Sequence, residues 1–286
     1  MRLASVEVGG RLGIAAIVNE QECRVHFSNN ERAALDLGLL LKQGQDAFVR
    51  ALDALAEAPV IPQSSLRFLP PIPKPDKIIC VGMNYRGHIE EVGMKMPEHP
   101  EVFVRFAETL VGHGAPIVRP KVSIQLDYEG ELAVIIGKGG RGIKAKDALS
   151  HVAGYSVFND ASIRDYQLRS PLFTTGKNFD ATGAFGPTLV TPDELPKGAA
   201  GLALRTMLNG KTVQESNTND LVFDVAALIE SISEFTTLRP GDVIITGTPA
   251  GVGIARKPQL WMKPGDVCSV EIEQIGTLTS PIIAET

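Results

Sequence analysis

The stretch DYEGELAVIIG, residues 127–137, decides the architecture of this chain. Its second half, LAVIIG, is an apolar run rich in β-branched residues and reads as a core strand. A strand period of two sets Asp127, Glu129 and Glu131 on one face and Tyr128, Gly130 and Leu132 on the other. In an exposed strand three neighbouring carboxylates are simply solvated. Here they run straight into a segment that must be buried, where unpaired charge is costly. A hard cation with oxygen ligands resolves that conflict.

A second apolar strand, AGYSVFNDAS (residues 153–162), ends in the same way and delivers Asp160. Two carboxylates from one strand and one from another, with the remaining positions left to water or substrate, make the open oxygen coordination that Mg²⁺ and Mn²⁺ favour. Asp160 with two adjacent members of Asp127, Glu129 and Glu131 is therefore the candidate metal set. The absence of nearby His or Cys makes zinc the poorer fit.

Outward from these two strands, short β-rich runs separated by Gly, Pro, Asn and Asp dominate: VFVRF, AFGPTLV, LALRTMLNG, GDVIITG and GDVCSVEIEQIG. One helix interrupts them, DVAALIESISEFT, with Asp224 as its N-cap. Without regular βαβ alternation, this predicts a mainly antiparallel, curved β structure of the α+β class. Three strands (RLASVEV, LGIAAIV, CRVHF) and two amphipathic helical stretches (around LDLGLLLKQ and DAFVRALDALAEA) precede it. Between the two parts, LRFLPPIPKPDK carries four prolines within eight residues and reads as a linker. The expected division is a small N-terminal α/β domain with its linker over residues 1–70 and a catalytic domain over residues 71–286.

Composition excludes several classes of function. Apolar residues make up 44% of the chain and charged ones 21%, and the longest apolar runs are far too short to span a bilayer. The net charge of −5 comes without a Lys/Arg stripe, so no nucleic-acid footprint is expected and an anionic substrate must be received by a local site. The N-terminus alternates like a strand and shows no secretory signal, which makes the cytoplasm the expected compartment. Cys23, Cys80 and Cys268 form no CxxC or Cys/His cluster and read as reduced core residues.

In VGMNYRGHIEEVG, His88 and Glu91 share a face if the stretch is helical, and such a pair raises imidazole basicity and orients it as a general base. An isolated H-x-x-E also arises by chance on a surface helix. Arg164 and Gln167 follow Asp160 closely enough to reach the same cavity, although RDYQ also suits a surface helix. In TTGKNFD, Lys177 follows a glycine that permits close backbone approach; most lysines are surface charge. In GDVIITGTPAGVG the loop amides and the Thr248 hydroxyl could cradle a carboxylate, and a plain turn fits as well. That loop lacks both the GK[ST] of a P-loop and the GxGxxG of a dinucleotide fold. His26, His99, His113 and His151 have no matching acid cluster.

The order of these pieces is more distinctive than any one of them. G-x-N-Y with H-x-x-E, D-Y-E-x-E-L-A-V-I-I-G, G-Y-x-x-x-N-D-x-S-x-R-D-x-Q, G-K-x-F-D and T-G-T-P-x-G-V-G together resemble the fumarylacetoacetate hydrolase family from about Lys77 onward. The resemblance implies a mixed β-sandwich roll, commonly a homodimer, with Glu129, Glu131 and Asp160 holding Mg²⁺ or Mn²⁺. It implies His88 and Glu91 as a base dyad on a mobile lid, Lys177 as a catalytic group, and Tyr85, Arg105, Arg164, Gln167 and Thr248 as substrate-binding groups. Met83 and Arg105 stand where many relatives carry Arg and Lys, and the Gln-Trp that often precedes Gly-Lys is missing, so specificity transfers least.

The activity expected from the resemblance is hydrolysis of the C3–C4 bond of a 2,4-diketo acid, giving pyruvate or another 2-oxo acid and a carboxylic acid. The same metal–enolate chemistry serves oxaloacetate-type decarboxylation and 2-oxo-alkenoate isomerisation or hydration. A non-catalytic metal-binding scaffold would lack the dyad or the Lys/Gln/Thr set, and neither is missing.

Overall fold

A computed structural model describes residues 1–28 and 34–286. Among these residues the strands form three sheets. The largest has twelve strands; its main path runs from Val60–Pro62 through Glu22–Phe27, Arg11–Ile17, Arg2–Val8, Gly183–Val190, Val152–Asp160, Gly130–Ile136, Val243–Ile245 and Ile78–Gly82 to Glu101–Arg105. A five-stranded sheet is built from Lys211–Asn217, Ala203–Leu208, Val267–Ile272, Gly276–Ala284 and Ile117–Arg119. Leu126–Asp127 and Ser162–Ile163 make a two-stranded ladder. Pairing is antiparallel except at three contacts, among them Val243–Ile245 with Ile78–Gly82. The expected α+β, mainly β architecture is the one observed.

The strand Gly130–Ile136 is buried on both faces. Leu132, Val134 and Ile136 pack with Leu204, Val270 and Leu278 of the five-stranded sheet and with Leu228 and Ile232 of the helix Val225–Phe235. Ala133 and Ile135 belong to the opposite layer, with Leu40, Leu41 and Leu55 of the helices Leu37–Gln43 and Gln45–Glu57. Each large aliphatic side chain buried here contributes roughly 1.5–3 kcal/mol, so this strand is the hub of the fold. Gly130 is the point of closest approach between the sheets. A Cβ on it would sit 2.2 Å from Thr206 Oγ1 and 2.9 Å from Val270 Cγ1, which only glycine avoids.

Two expectations change. The acidic strand is interrupted: Leu126–Asp127 and Gly130–Ile136 are separate elements. Side chains take the amides that a continuous ladder would use, with Tyr128 N donating to Asp127 Oδ1, Glu129 N to Asn159 Oδ1 and Gly130 N to Gln214 Oε1. The proline-rich stretch is docked instead of spanning open solvent. Arg67–Phe68 pairs with the first strand, Pro70, Pro71 and Ile72 are buried, and Ser5 Oγ donates to the Pro71 carbonyl. Proline cannot donate to a ladder, but its carbonyl still accepts. The first strand also pairs with Gly183–Val190 (Leu3 opposite Leu189), so the N-terminal strands extend the large sheet.

No helix among the described residues is long and apolar enough to cross a membrane. Cys23, Cys80 and Cys268 are buried free thiols, and burial pushes each of them up from the usual thiol value.

Candidate active site

Antiparallel pairing of Gly130–Ile136 with Val152–Asp160 sets Gly130 opposite Asn159, and Asp160 N donates to the Glu129 carbonyl. This register carries Asp160 up against the alternating pair Glu129 and Glu131. One carboxylate oxygen from each of the three lies within 4.8 Å of the others, and all three residues are buried. Asp127, expected on the same face, is turned away. Its Oδ1 accepts from Gly253 N (2.7 Å) and its Oδ2 from Ile254 N (3.0 Å) and Arg164 Nε (2.8 Å).

Three cations brace these acids. Lys177 Nζ lies 2.5 Å from Glu129 Oε2 and 2.6 Å from Asp160 Oδ2. Arg164 Nη1 reaches Glu129 Oε1 at 2.7 Å and Gln167 Oε1 at 2.8 Å. Arg105 Nη1 donates to Asp160 Oδ1 at 2.5 Å, and its Nη2 to Thr182 Oγ1. Lys177 arrives on the short helix Thr174–Lys177, which packs on Arg164–Gln167 through Gly176. A Cβ there would fall 2.4 Å from Gln167 Cβ.

The electrostatics follow from burial and from this bracing. Burial alone would raise Glu129, but Lys177 and Arg164 outweigh it and hold the carboxyl well below its usual range. Glu131 goes the other way, raised by burial and by the charges of Asp160 and Glu129. Its Oε2 accepts from a backbone amide, Gly247 N, at 2.5 Å. Burial would lower Lys177, and the Asp160 and Glu129 carboxylates overcome it and raise the ammonium. Four buried carboxylates, counting Asp127, face three cations, so ionising all four leaves one negative charge in surplus. An all-oxygen triad with surplus negative charge and one member pushed toward its neutral form fits a hard divalent cation.

His88 and Glu91 lie on the helix Arg86–Glu91. His88 Nδ1 is 3.0 Å from Glu91 Oε2, and Glu91 Oε1 accepts from Gly251 N at 2.8 Å. Burial raises the Glu91 carboxyl, yet the His88 and Gly251 hydrogen bonds outweigh it and the net shift is downward. An ionised carboxylate can only accept, so the proton of this bond sits on Nδ1, and Nε2 is the ring nitrogen left outside it.

A cavity of about 50 Å³ joins the two groups; His88, Glu129, Glu131, Arg164, Gln167 and Lys177 contribute to its lining, and Thr248 borders it too. Thr248 is already engaged, donating to the Gly130 carbonyl (3.1 Å) and accepting from Gln214 Nε2 (2.9 Å). Arg164 Nη2 is buried and has no partner among the described residues. Two expected substrate-binding residues are not in this lining. Arg105 stands behind Asp160, and Tyr85 is a fully buried side chain whose hydroxyl has no partner among the described residues. Residues that sequence reasoning did not single out are Asp127 as the anchor of Arg164, Gln214 as a tie between the acidic strand and the Thr248 loop, and the rings of Phe103 and Phe173. Of these, only the acid of the DYE triplet left a sequence signal.

The family model described as the fumarylacetoacetate (FAA) hydrolase C-terminal region matches residues 77–283. The Homo sapiens protein named oxaloacetate tautomerase FAHD2A, mitochondrial, is 44% identical over 246 residues, covering 85% of this chain and 78% of that one. The solved fumarylacetoacetate hydrolase of Exiguobacterium antarcticum covers both chains fully with a TM-score of 0.87 and 35% identity. The maleylpyruvate hydrolase of a Sphingobium species, solved with manganese(II) and pyruvate, also covers both chains fully, with a TM-score of 0.81 and 28% identity. With the match to residues 77–283 added to the ordered motifs and the carboxylate site, the chain belongs to the fumarylacetoacetate hydrolase family of enzymes.

Proposed function

We propose that the protein interconverts the keto and enol forms of a short, oxaloacetate-type 2-oxo acid in the presence of Mg²⁺ or Mn²⁺. The observation that carries this reading is one small cavity lined both by Glu129 and Glu131 of the carboxylate triad and by an imidazole whose other nitrogen is held by Glu91. Relatives at 42–44% identity named as oxaloacetate tautomerases support the choice of reaction.

Glu129, Glu131 and Asp160 would hold the cation. When bound, it would supply a Lewis acid that polarises the C2 carbonyl of the substrate. Arg164, with its free Nη2, receives the C1 carboxylate. His88 Nε2 takes a proton from C3, the C–H electron pair becomes the C2–C3 double bond, and the carbonyl pair moves onto O2. The imidazolium then returns its proton to that oxygen, completing the enol with no change in overall composition. The Lys177 ammonium, raised and therefore charged, stabilises the negative charge passing through O2.

The dyad favours a second reading, because the same imidazole can activate water for attack at C4 of a diketo acid, followed by C3–C4 cleavage. The two readings separate in one spectrophotometric assay. Tautomerisation predicts faster loss of the enol absorbance of oxaloacetate with total oxaloacetate conserved and no pyruvate formed, abolished by EDTA. Release of a carboxylic acid from a short acylpyruvate, at a rate exceeding that of oxaloacetate enol conversion, would overturn the proposal in favour of hydrolysis.

A further inference from the structure

The cavity lining mixes charged and apolar side chains. Beside the charged cluster it includes Val81, Gly82, Met83, Phe103 and Phe173. At about 50 Å³ it holds roughly three to five water-sized volumes, so the head of a 2-oxo acid fills most of it. A chain reaching beyond the C4 carboxylate of oxaloacetate outgrows that volume and comes up against the apolar side chains.

Two of these residues are held in a conformation non-glycine residues rarely adopt. Met83 has φ 51° and Phe173 φ 59°. Such strain persists only where the surroundings over-determine it, and it concentrates at ligand clamps. Around Met83 the restraint is visible. Asn84 Nδ2 donates to the Phe223 and Thr246 carbonyls, its Oδ1 accepts from Phe223 N, and its carbonyl accepts from Val222 N. Phe173 opens the helix that delivers Lys177, with Gly176 N donating to its carbonyl. Its ring packs edge-on against Phe103 at 6.0 Å and lies over Gly82, where a Cβ would be 3.8 Å from Cε2.

We propose that Met83 and Phe173 form a length filter that admits 2-oxo acids with a small C3 substituent and rejects longer ones. Phe173 is the residue of the pair to alter, because Phe103 also lies under the Lys177 ammonium at 5.2 Å and cannot be changed without disturbing it. The inference rests on the reading of this cavity as a 2-oxo acid site, but not on which reaction follows.

The test is calorimetric binding of pyruvate, 2-oxobutyrate, 2-oxopentanoate and 2-oxohexanoate to the Mg²⁺-saturated protein. The expected result is a loss of about tenfold or more in affinity between 2-oxobutyrate and 2-oxohexanoate, the scale set by methylene discrimination in an apolar pocket. In Phe173→Ala that ratio should collapse to about threefold or less. Phe173→Gly removes the same ring and suits the left-handed backbone, so it gives the same readout should the alanine variant fold poorly. Equal affinity of the wild type for short and long acids, or an unchanged ratio in the folded variants, overturns the filter. A retained cutoff in a protein that does not turn over oxaloacetate leaves the filter standing and removes the tautomerase reading.

Discussion

Glu131 and Asp160 lie on paired central strands, with Glu129 just before one of them, and Lys177, Arg164 and Arg105 brace Glu129 and Asp160, whereas His88 and Glu91 ride on one six-residue helix. That helix is tied down at its edges, by Arg86 to the Leu221 carbonyl at 3.1 Å and by Glu91 to Gly251 N. The difference separates two tasks. On the proposed reading, cation binding falls to the most deeply buried charges, and proton transfer to a short element that can be altered without dismantling the core.

The largest effect expected follows from breaking the rigid half. Asp160→Ala leaves Arg105 and Lys177 each short of a buried partner, which should cost about 3–5 kcal/mol of stability. Urea unfolding measures the loss, and calorimetry should find divalent-cation binding gone. His88→Ala should separate the halves cleanly, with turnover falling about 10²- to 10⁴-fold while cation affinity stays at the wild-type value. A parallel loss of cation binding in that variant would mean that the halves are not distinct.

A smaller effect concerns pH. The Glu91 carboxyl lies below its usual 4.5 in the folded chain. A depressed carboxyl contributes stability above its unfolded value and loses it as pH falls through the folded one, so the dyad should survive mild acidification. Carboxyl NMR titration should find the Glu91 midpoint below 4.5 and rising in His88→Ala. Smallest and unrelated to either half is Asp224→Ala. This carboxylate caps the helix Val225–Phe235 by accepting from Ala227 N at 2.8 Å, and its loss should cost about 1 kcal/mol with catalysis and cation binding untouched.

The same contrast explains what could be read in the sequence. Strands such as Val152–Asp160, and the Asp224 cap, were legible because burial leaves a periodic apolar pattern and capping a local one. The triad was legible because acid at the end of an apolar strand is a conflict visible in one dimension. The interruption at Tyr128–Glu129 was not, because the groups that take those amides, Asn159 and Gln214, are distant in sequence. Arg105 reads as a substrate group by position in the chain, and only the fold reveals that Asp160 lies between it and the cavity. Phe173 left no periodic signal at all; its place in the cavity lining depends on a left-handed turn.

The most direct test of the account is proton exchange at C3. Incubating pyruvate or 2-oxobutyrate with the Mg²⁺-loaded protein in D₂O and following C3 deuteration by NMR isolates proton removal from every later step. Deuteration accelerated by the wild type and lost in His88→Ala is the predicted result. Deuteration that persists at the wild-type rate in His88→Ala would contradict the assignment of His88 as the base.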